Sequence, residues 1–319
     1  MLARPNLDRF IHVSLFFVGP LRSQGNILLW RLQAILQVAI SLRLPYGPGV
    51  RWLLLVLAAA SASVGCNDHA RSPGLTPSDA SPAAVATSTA ISPAIRAAVD
   101  APDRSDDDRK LDSGRHPAEL LAFFGIAPGM RVAEIAAGGG YTTELLARVV
   151  GPSGVVFGQN NKFALERYAE KPWSARLAKP VLANVVRVDR EFDDPLPPEA
   201  ANLDAVFLLL FYHDTVWQKT DRDRMNRAIL HALKPGGVLA IVDHSGRPGT
   251  ALTEVQSLHR IEERVVREEI QRAGFKLAGE ATFLRNPEDQ RDWNASPRQA
   301  GERRGTSDRF VLKFVKPAS

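Results

Sequence analysis

The sequence predicts an α/β domain, a mostly parallel sheet with helices on both faces. Three observations predict it. From residue 115 onward, short apolar runs alternate with segments of helical period, the pattern of strands joined by crossover helices. The first run, residues 131–136, leads into Gly138-Gly139-Gly140 and then into a helical segment. The run Ala205-Val206-Phe207-Leu208-Leu209-Leu210-Phe211 is apolar at every position, which suits a central strand covered on both sides.

The elements follow in order. Residues 117–124 read as a helix ahead of the sheet, and residues 131–136 as the first strand. Residues 141–150 form the first crossover helix. The second strand is 155–158, a helix follows around 162–177, and the third strand is 185–188. Residues 205–211 are the fourth strand and 221–233 the next helix, stopped by Lys234-Pro235-Gly236-Gly237. Residues 238–242 make the fifth strand. A long amphipathic helix is expected over 258–273, with Gly274 closing it. Residues 275–284 and 310–315 are the last strands, an antiparallel edge. The charged and polar stretch 285–309 between them is a long loop holding Trp293, Arg298, Arg303 and Arg304, placed to act as a lid or to lie exposed. Residues 103–112 alternate acids and bases, as a solvated face does.

The chain has 319 residues, 45% hydrophobic and 24% charged, which excludes a collagen-like, wholly disordered or multi-span protein. The net charge of +5 is local. Residues 1–65 hold Arg4, Arg9, Arg22, Arg31, Arg43 and Arg51 against Asp8 alone, and the remaining residues balance. A neutral body with no basic stripe argues against a nucleic-acid partner. Cys66 is the single cysteine, so no internal disulfide and no multi-cysteine metal site can form.

Arg51-Trp52, the apolar run 53–60 and the small residues before Cys66 have the layout of a secretory signal. Ser63-Val64-Gly65-Cys66 resembles the signal of bacterial lipoproteins, in which the cysteine is lipidated and becomes the mature N-terminus. The expected organisation has a doubtful extension at 1–49, a lipoprotein-type signal at 50–66 and a flexible Ser/Pro/Ala linker at 67–99. The folded domain occupies 100–319. Export to the periplasmic side follows, with a lipid anchor at Cys66 as the one membrane contact.

Glu134-Ile135-Ala136-Ala137-Gly138-Gly139-Gly140 lies at a strand-to-helix turn. Glycines there let a ligand approach the backbone, and the following helix offers free N–H groups. The spacing G-x-G-x-x-G is absent, which argues against a nicotinamide dinucleotide. The acid ahead of the glycine turn, with Leu233-Lys234-Pro235-Gly236-Gly237 before the fifth strand, resembles class I S-adenosylmethionine-dependent methyltransferases. Arg115-His116-Pro117-Ala118-Glu119, Gly138-Gly139-Gly140-Tyr141-Thr142-Thr143, Tyr212-His213-Asp214, Asp243-His244 and Leu258-His259-Arg260-Ile261 resemble a bacterial group of predicted, often exported methyltransferases. The resemblance implies a Rossmann-like class I methyltransferase fold, a seven-stranded sheet of order 3-2-1-4-5-7-6 with the last strand antiparallel. It also implies S-adenosyl-L-methionine as cofactor and a small-molecule substrate.

Position by position, the resemblance puts Glu134, Gly138 and Gly140 against the cofactor's amino-acid end, and counts Ala136, Gly139 and Tyr141 among the cofactor-binding residues. Ala136 replaces the family's first loop glycine. Asn160 stands where the family has an acid for the ribose hydroxyls, and Asp189 falls near the residue that contacts the adenine amine. Tyr212, His213 and Asp214 end the fourth strand, and Asp243 and His244 end the fifth, at the carboxyl edge where open α/β sheets bind ligands. Methyl transfer needs alignment and a deprotonated acceptor. His213 is the candidate base, with Asp214 or Asp243 orienting it.

His213, His244 and His259 with Asp214 and Asp243 would also suit a metal, but their spacing matches no metal signature and none is expected. His259, on the predicted long helix, is expected to face solvent or substrate. The alternative function is an exported protein of this fold that binds a ligand or metal through His213 and His244 without methyl transfer.

Overall fold

The computed structural model describes residues 90–318. The extension, the signal with Cys66 and residues 67–89 of the linker lie outside the described residues. The rest of the linker differs from the expectation. Residues 93–99 form helix α1 (Pro93–Val99), opened by Ser92, whose hydroxyl accepts from the Ile95 N–H at 3.3 Å. Ile95 and Ala98 are buried, because these two apolar side chains share one face and pack on the domain.

Helix α2 (Asp106–Arg115) starts at the N-cap Ser105 with three aspartates in its first turn, where the helix dipole favours them. It ends at His116, in the left-handed region at φ 46°. Pro117 then opens α3 (Pro117–Phe124). The expected solvated face over 103–112 holds at Asp103, Asp106, Asp107 and Lys110, which are exposed, and fails on the inner side of the segment. Arg104 and Asp108 are buried, and Asp112 binds Arg104 and the hydroxyl of Tyr141.

Strand β1 (Arg131–Ile135) leads through the glycine turn into α4 (Tyr141–Val150) and β2 (Val155–Asn160). Helix α5 has three pieces, Lys162–Ala164, a π-helical turn Leu165–Ala169 and Glu170–Leu177. Then come β3 (Val185–Asp189), β4 (Leu203–Leu209), α6 (Tyr212–Trp217), α7 (Arg222–Ala232), β5 (Leu233–His244), α8 (Glu263–Arg272), β6 (Lys276–Ala281) and β7 (Arg309–Val315). The seven strands run in the order β3-β2-β1-β4-β5-β7-β6, with β7 antiparallel to both neighbours and the other pairs parallel. This is the Rossmann-like class I methyltransferase fold.

Strand alternation divides the core between the two faces. Ala133, Ile135, Val206, Leu208, Leu239 and Ile241 pack with Met225 and Ile229 of α7 and Val266 and Ile270 of α8. Val132, Phe207, Ala240 and Val242 pack on the other face with α1, α3 and α4.

The long helix expected over 258–273 begins only at Glu263. His259 lies in the left-handed region at φ 56°, and Ile261 bridges to Ser245. Arg260 is wholly buried, bonded to the carbonyls of Ser245 and Trp293 and to Asp289. These distant partners fix residues 258–262 as a loop against the local helical period.

Candidate active site

A cavity of about 880 Å³ opens at the carboxyl ends of β1, β4 and β5. One wall is Glu134 with the turn Ala136–Gly139 and Tyr141. The opposite wall holds Asp214, His244 and His259. The segment 296–304 of the long loop supplies Arg298 and Arg304, so it contributes a wall of the site.

The glycine turn is clamped from β2. The N–H of Ala136 donates to Gln159 Oε1 at 3.0 Å, and that of Ala137 to the Gln159 carbonyl at 2.8 Å. Asn160 accepts from the Gly138 N–H at 2.8 Å and donates to its carbonyl at 3.1 Å. Asn160 is fully buried in this role, which corrects its expected contact with a ribose hydroxyl. Ala136 takes φ 59°, so alanine holds a backbone conformation that favours glycine. Gly140 packs against the Trp173 ring, where a Cβ would stand 2.5 Å from the ring, and it caps α4 instead of lining the cavity.

Glu134 is buried and accepts from the Thr143 hydroxyl. Burial pushes its carboxyl up to about 7, against the opposing pull of the Thr143 and Thr142 hydroxyls and the charge of Arg115. Tyr141 gives its hydroxyl proton to Asp112 at 2.6 Å, and its ring lies 4.4 Å from the Arg115 guanidinium. Burial, then Asp112, raises the Tyr141 phenol far above its ordinary value.

On the opposite wall, His213 is wholly buried at the start of α6. Its Nδ1 lies 2.7 Å from Asp243 Oδ1, and Asp243 also accepts from the N–H groups of His213 and His244, each at 2.8 Å. Its Nε2 lies 3.3 Å from Asp214 Oδ1. Burial opposes the imidazolium, but the charges of Asp243 and Asp214 outweigh it and push His213 up to about 10. This corrects the expected base: His213 already holds its proton at neutral pH. His244 faces the cavity and pairs with the Ser307 hydroxyl at 2.7 Å, and burial, then the charge of His213, holds its pKa far below the ordinary value. His259 was expected on a helix facing solvent or substrate. It lies in a loop and not on that helix, and it lines the cavity, its ring centroid 4.4 Å from that of His213.

Two expected site residues lie elsewhere. Tyr212 points into the core, donating to Glu269 at 2.7 Å and accepting from Asn226 at 2.9 Å. Its place on the first turn of α6 turns it away from the cavity side taken by Asp214. Asp189 is exposed at the end of an edge-side strand and paired with Arg187.

Sequence reasoning passed over Phe163, Tyr168 and Trp217, which line the cavity mouth. Phe163 and Trp217 meet edge to face at 5.5 Å, and the π-helical turn carries Tyr168. The available signal was two aromatics within seven residues after Asn161, the N-cap of α5.

The family model described as protein-L-isoaspartate(D-aspartate) O-methyltransferase matches residues 97–187. No curated protein matches the sequence. Among solved structures, a SAM dependent methyltransferase from Aquifex aeolicus is 19% identical, over 66% of this chain and 100% of that chain, with a TM-score of 0.44. An S-adenosylmethionine dependent methyltransferase from Mesorhizobium loti is 19% identical, over 64% of this chain and 99% of that chain, with a TM-score of 0.43.

Proposed function

We propose that this protein transfers a methyl group from S-adenosylmethionine to a small-molecule acceptor. The observation that carries the reading is one wall of the cavity, where buried Glu134 stands beside the Ala136–Gly139 turn at the mouth of α4. A carboxyl group beside free helix N–H groups suits a ligand end that carries both an ammonium and a carboxylate. The volume, about 880 Å³, is at the large end for small-molecule sites, which leaves space for donor and acceptor together.

The donor supplies an electrophilic methyl carbon on a sulfonium. Transfer is an in-line displacement, in which the acceptor's lone pair forms the new bond to carbon and the old carbon–sulfur pair returns to sulfur. The chain's own part is alignment and exclusion of water. Glu134 and the turn hold one partner from the β1 side, and Asp214, His244 and His259 face it from the β4 and β5 side. Arg115, Arg298 and Arg304 line the same cavity and make no ion pair among the described residues, which favours an acceptor bearing a carboxylate or phosphate.

A second reading is ligand binding without methyl transfer. It is favoured by Asn160 and Asp189, which are engaged by Gly138 and Arg187 and not free for a nucleoside. Calorimetric titration of the purified protein with S-adenosylmethionine and S-adenosylhomocysteine separates the two. The methyltransferase reading expects both to bind in the micromolar range, and no heat at millimolar concentration removes it. The signal-like segment ending at Cys66 adds the proposal that the protein acts outside the cytoplasm on a lipid anchor. Mapping the N-terminus of the native protein tests that, with a start before residue 50 counting against it.

A further inference from the structure

Residues from one loop and the start of one helix meet at the inner end of the cavity. His213 Nε2 is buried and makes no hydrogen bond, although it stands 3.3 Å from Asp214 Oδ1. His259 Nε2 stands 3.4 Å from the same oxygen. One ligand atom from each of the three side chains lies within 4.8 Å of the others. We propose that His213, Asp214 and His259 bind a zinc ion whose fourth position faces the cavity.

The two distances to the shared Asp214 oxygen favour zinc over magnesium, and the third pair, His213 to His259, lies within 4.8 Å. Ligand atoms 2.0–2.1 Å from a tetrahedral zinc stand about 3.3–3.4 Å apart. Neighbouring oxygens of an octahedral magnesium stand closer, about 2.8–3.0 Å. The observed 3.3 and 3.4 Å fit the tetrahedron. Two imidazoles and one carboxylate also suit zinc better than a hard cation.

The surroundings prepare the ligands. Asp243 holds His213 Nδ1 at 2.7 Å, the carboxylate–histidine arrangement that fixes the ring, and zinc would take the place of the Nε2 proton that the metal-free imidazolium carries. Trp217 Nε1 donates to Asp214 Oδ1 at 2.7 Å and sets the carboxylate in place. His259 reaches the cluster only because its backbone adopts φ 56°, an uncommon conformation for a residue other than glycine. Asp214 and His259 line the cavity, while His213 lies behind them, so the free position opens toward bound molecules. An oxygen or sulfur donor entering from the cavity would complete the shell. The metal site stands independently of the methyltransferase reading, since it uses none of the Glu134 wall.

The test uses the untagged full-length protein, stripped with a chelator and dialysed, then titrated with zinc chloride by calorimetry and with cobalt chloride by visible absorption. One zinc per chain is expected, with the strong visible bands of tetrahedral cobalt. His259→Ala and Asp214→Asn, shown folded by circular dichroism, are expected to weaken zinc binding at least about 100-fold and to abolish the bands. His231→Ala, on the surface end of α7, is expected to bind as the unaltered protein does. Absence of zinc binding at micromolar concentration overturns the proposal. So does wild-type affinity in both ligand variants, or a cobalt spectrum of the weak octahedral type. Titration of the zinc-free protein with S-adenosylhomocysteine is read separately, and its failure bears on the methyltransferase reading alone.

Discussion

Asp243 Oδ1 lies 2.7 Å from His213 Nδ1, across 30 residues of sequence, and both side chains are wholly buried. The same carboxylate accepts the backbone N–H groups of His213 and His244. It therefore ties the carboxyl end of β5 to the first turn of α6, beneath the cavity. Asp243→Ala leaves a buried imidazole and two buried N–H groups without their partner. Breaking a buried pair from one side costs about 3–5 kcal/mol. Urea unfolding should show a loss of that size, and a loss below about 1 kcal/mol would mean that solvent reaches the pair.

Glu134 gives the site a pH dependence. Burial raises its carboxyl from 4.5 to about 7 in the folded protein. The proton is therefore held more tightly in the folded state than in the unfolded one. The stability this group contributes is complete below pH 4.5 and is lost as pH rises through about 7. Donor binding runs the other way, because only the ionised carboxylate attracts a cationic ligand end. Affinity for S-adenosylmethionine should rise about tenfold from pH 6 to pH 8 as the ionised fraction grows. In Glu134→Gln the profile should be flat and the affinity low throughout. A wild-type profile without slope, or a slope that survives in the Gln variant, contradicts this role.

The sheet was legible in the sequence because each strand writes its own signal. Residues 205–209 are a continuous apolar run, residues 132–135 are apolar but for Glu134, and Lys234-Pro235-Gly236-Gly237 cannot extend α7, which ends at Ala232. The glycine turn was legible for the same reason. The site was less so, because its side chains are placed by partners far along the chain. Residues 258–262 carry a helical period, yet Arg260 is drawn out of it by Asp289, 29 residues away. That contact swings His259 to the cavity, and no local pattern records it. Tyr212 and His213 are neighbours in sequence, but both lie on the first turn of α6, where successive side chains point about 100° apart, so one faces Glu269 and the other Asp243. Asn160 and Asp189 followed the resemblance, and the packing of β2 and β3 assigns them other partners.

Ala136 and Gly140 should respond in opposite directions to exchange. Ala136 sits at φ 59°, where a Cβ costs about 1–2 kcal/mol. Ala136→Gly relieves that strain and gives back part of the gain as unfolded-state entropy, leaving about 0.5–1 kcal/mol of added stability. Gly140 sits at φ 81°, and an added Cβ would stand 2.5 Å from buried Trp173. Gly140→Ala should cost about 2–4 kcal/mol. Thermal melts of the two variants check both signs. A destabilised Ala136→Gly would mean that the methyl group makes a contact worth more than the backbone strain.

Charge at the cavity predicts what the acceptor carries. Glu134, raised to about 7, carries only part of a negative charge near neutral pH, and Asp214 is matched by His213. Arg298 and Arg304, from the loop between β6 and β7, face the same space without a carboxylate partner among the described residues. A charge-assisted hydrogen bond from an arginine contributes about 1.5–3 kcal/mol when its partner is buried with it. An acceptor held by these arginines should lose about tenfold or more in affinity in Arg304→Ala. Because the arginines grip a remote group and not the reacting atoms, the loss should fall on KM and leave kcat nearly unchanged. A panel of small acceptors assayed in carboxylate, phosphate and neutral amide forms provides the check. Equal use of the neutral forms, or an Arg304→Ala loss that falls on kcat alone, would place the arginines in the loop's own folding and not in substrate recognition.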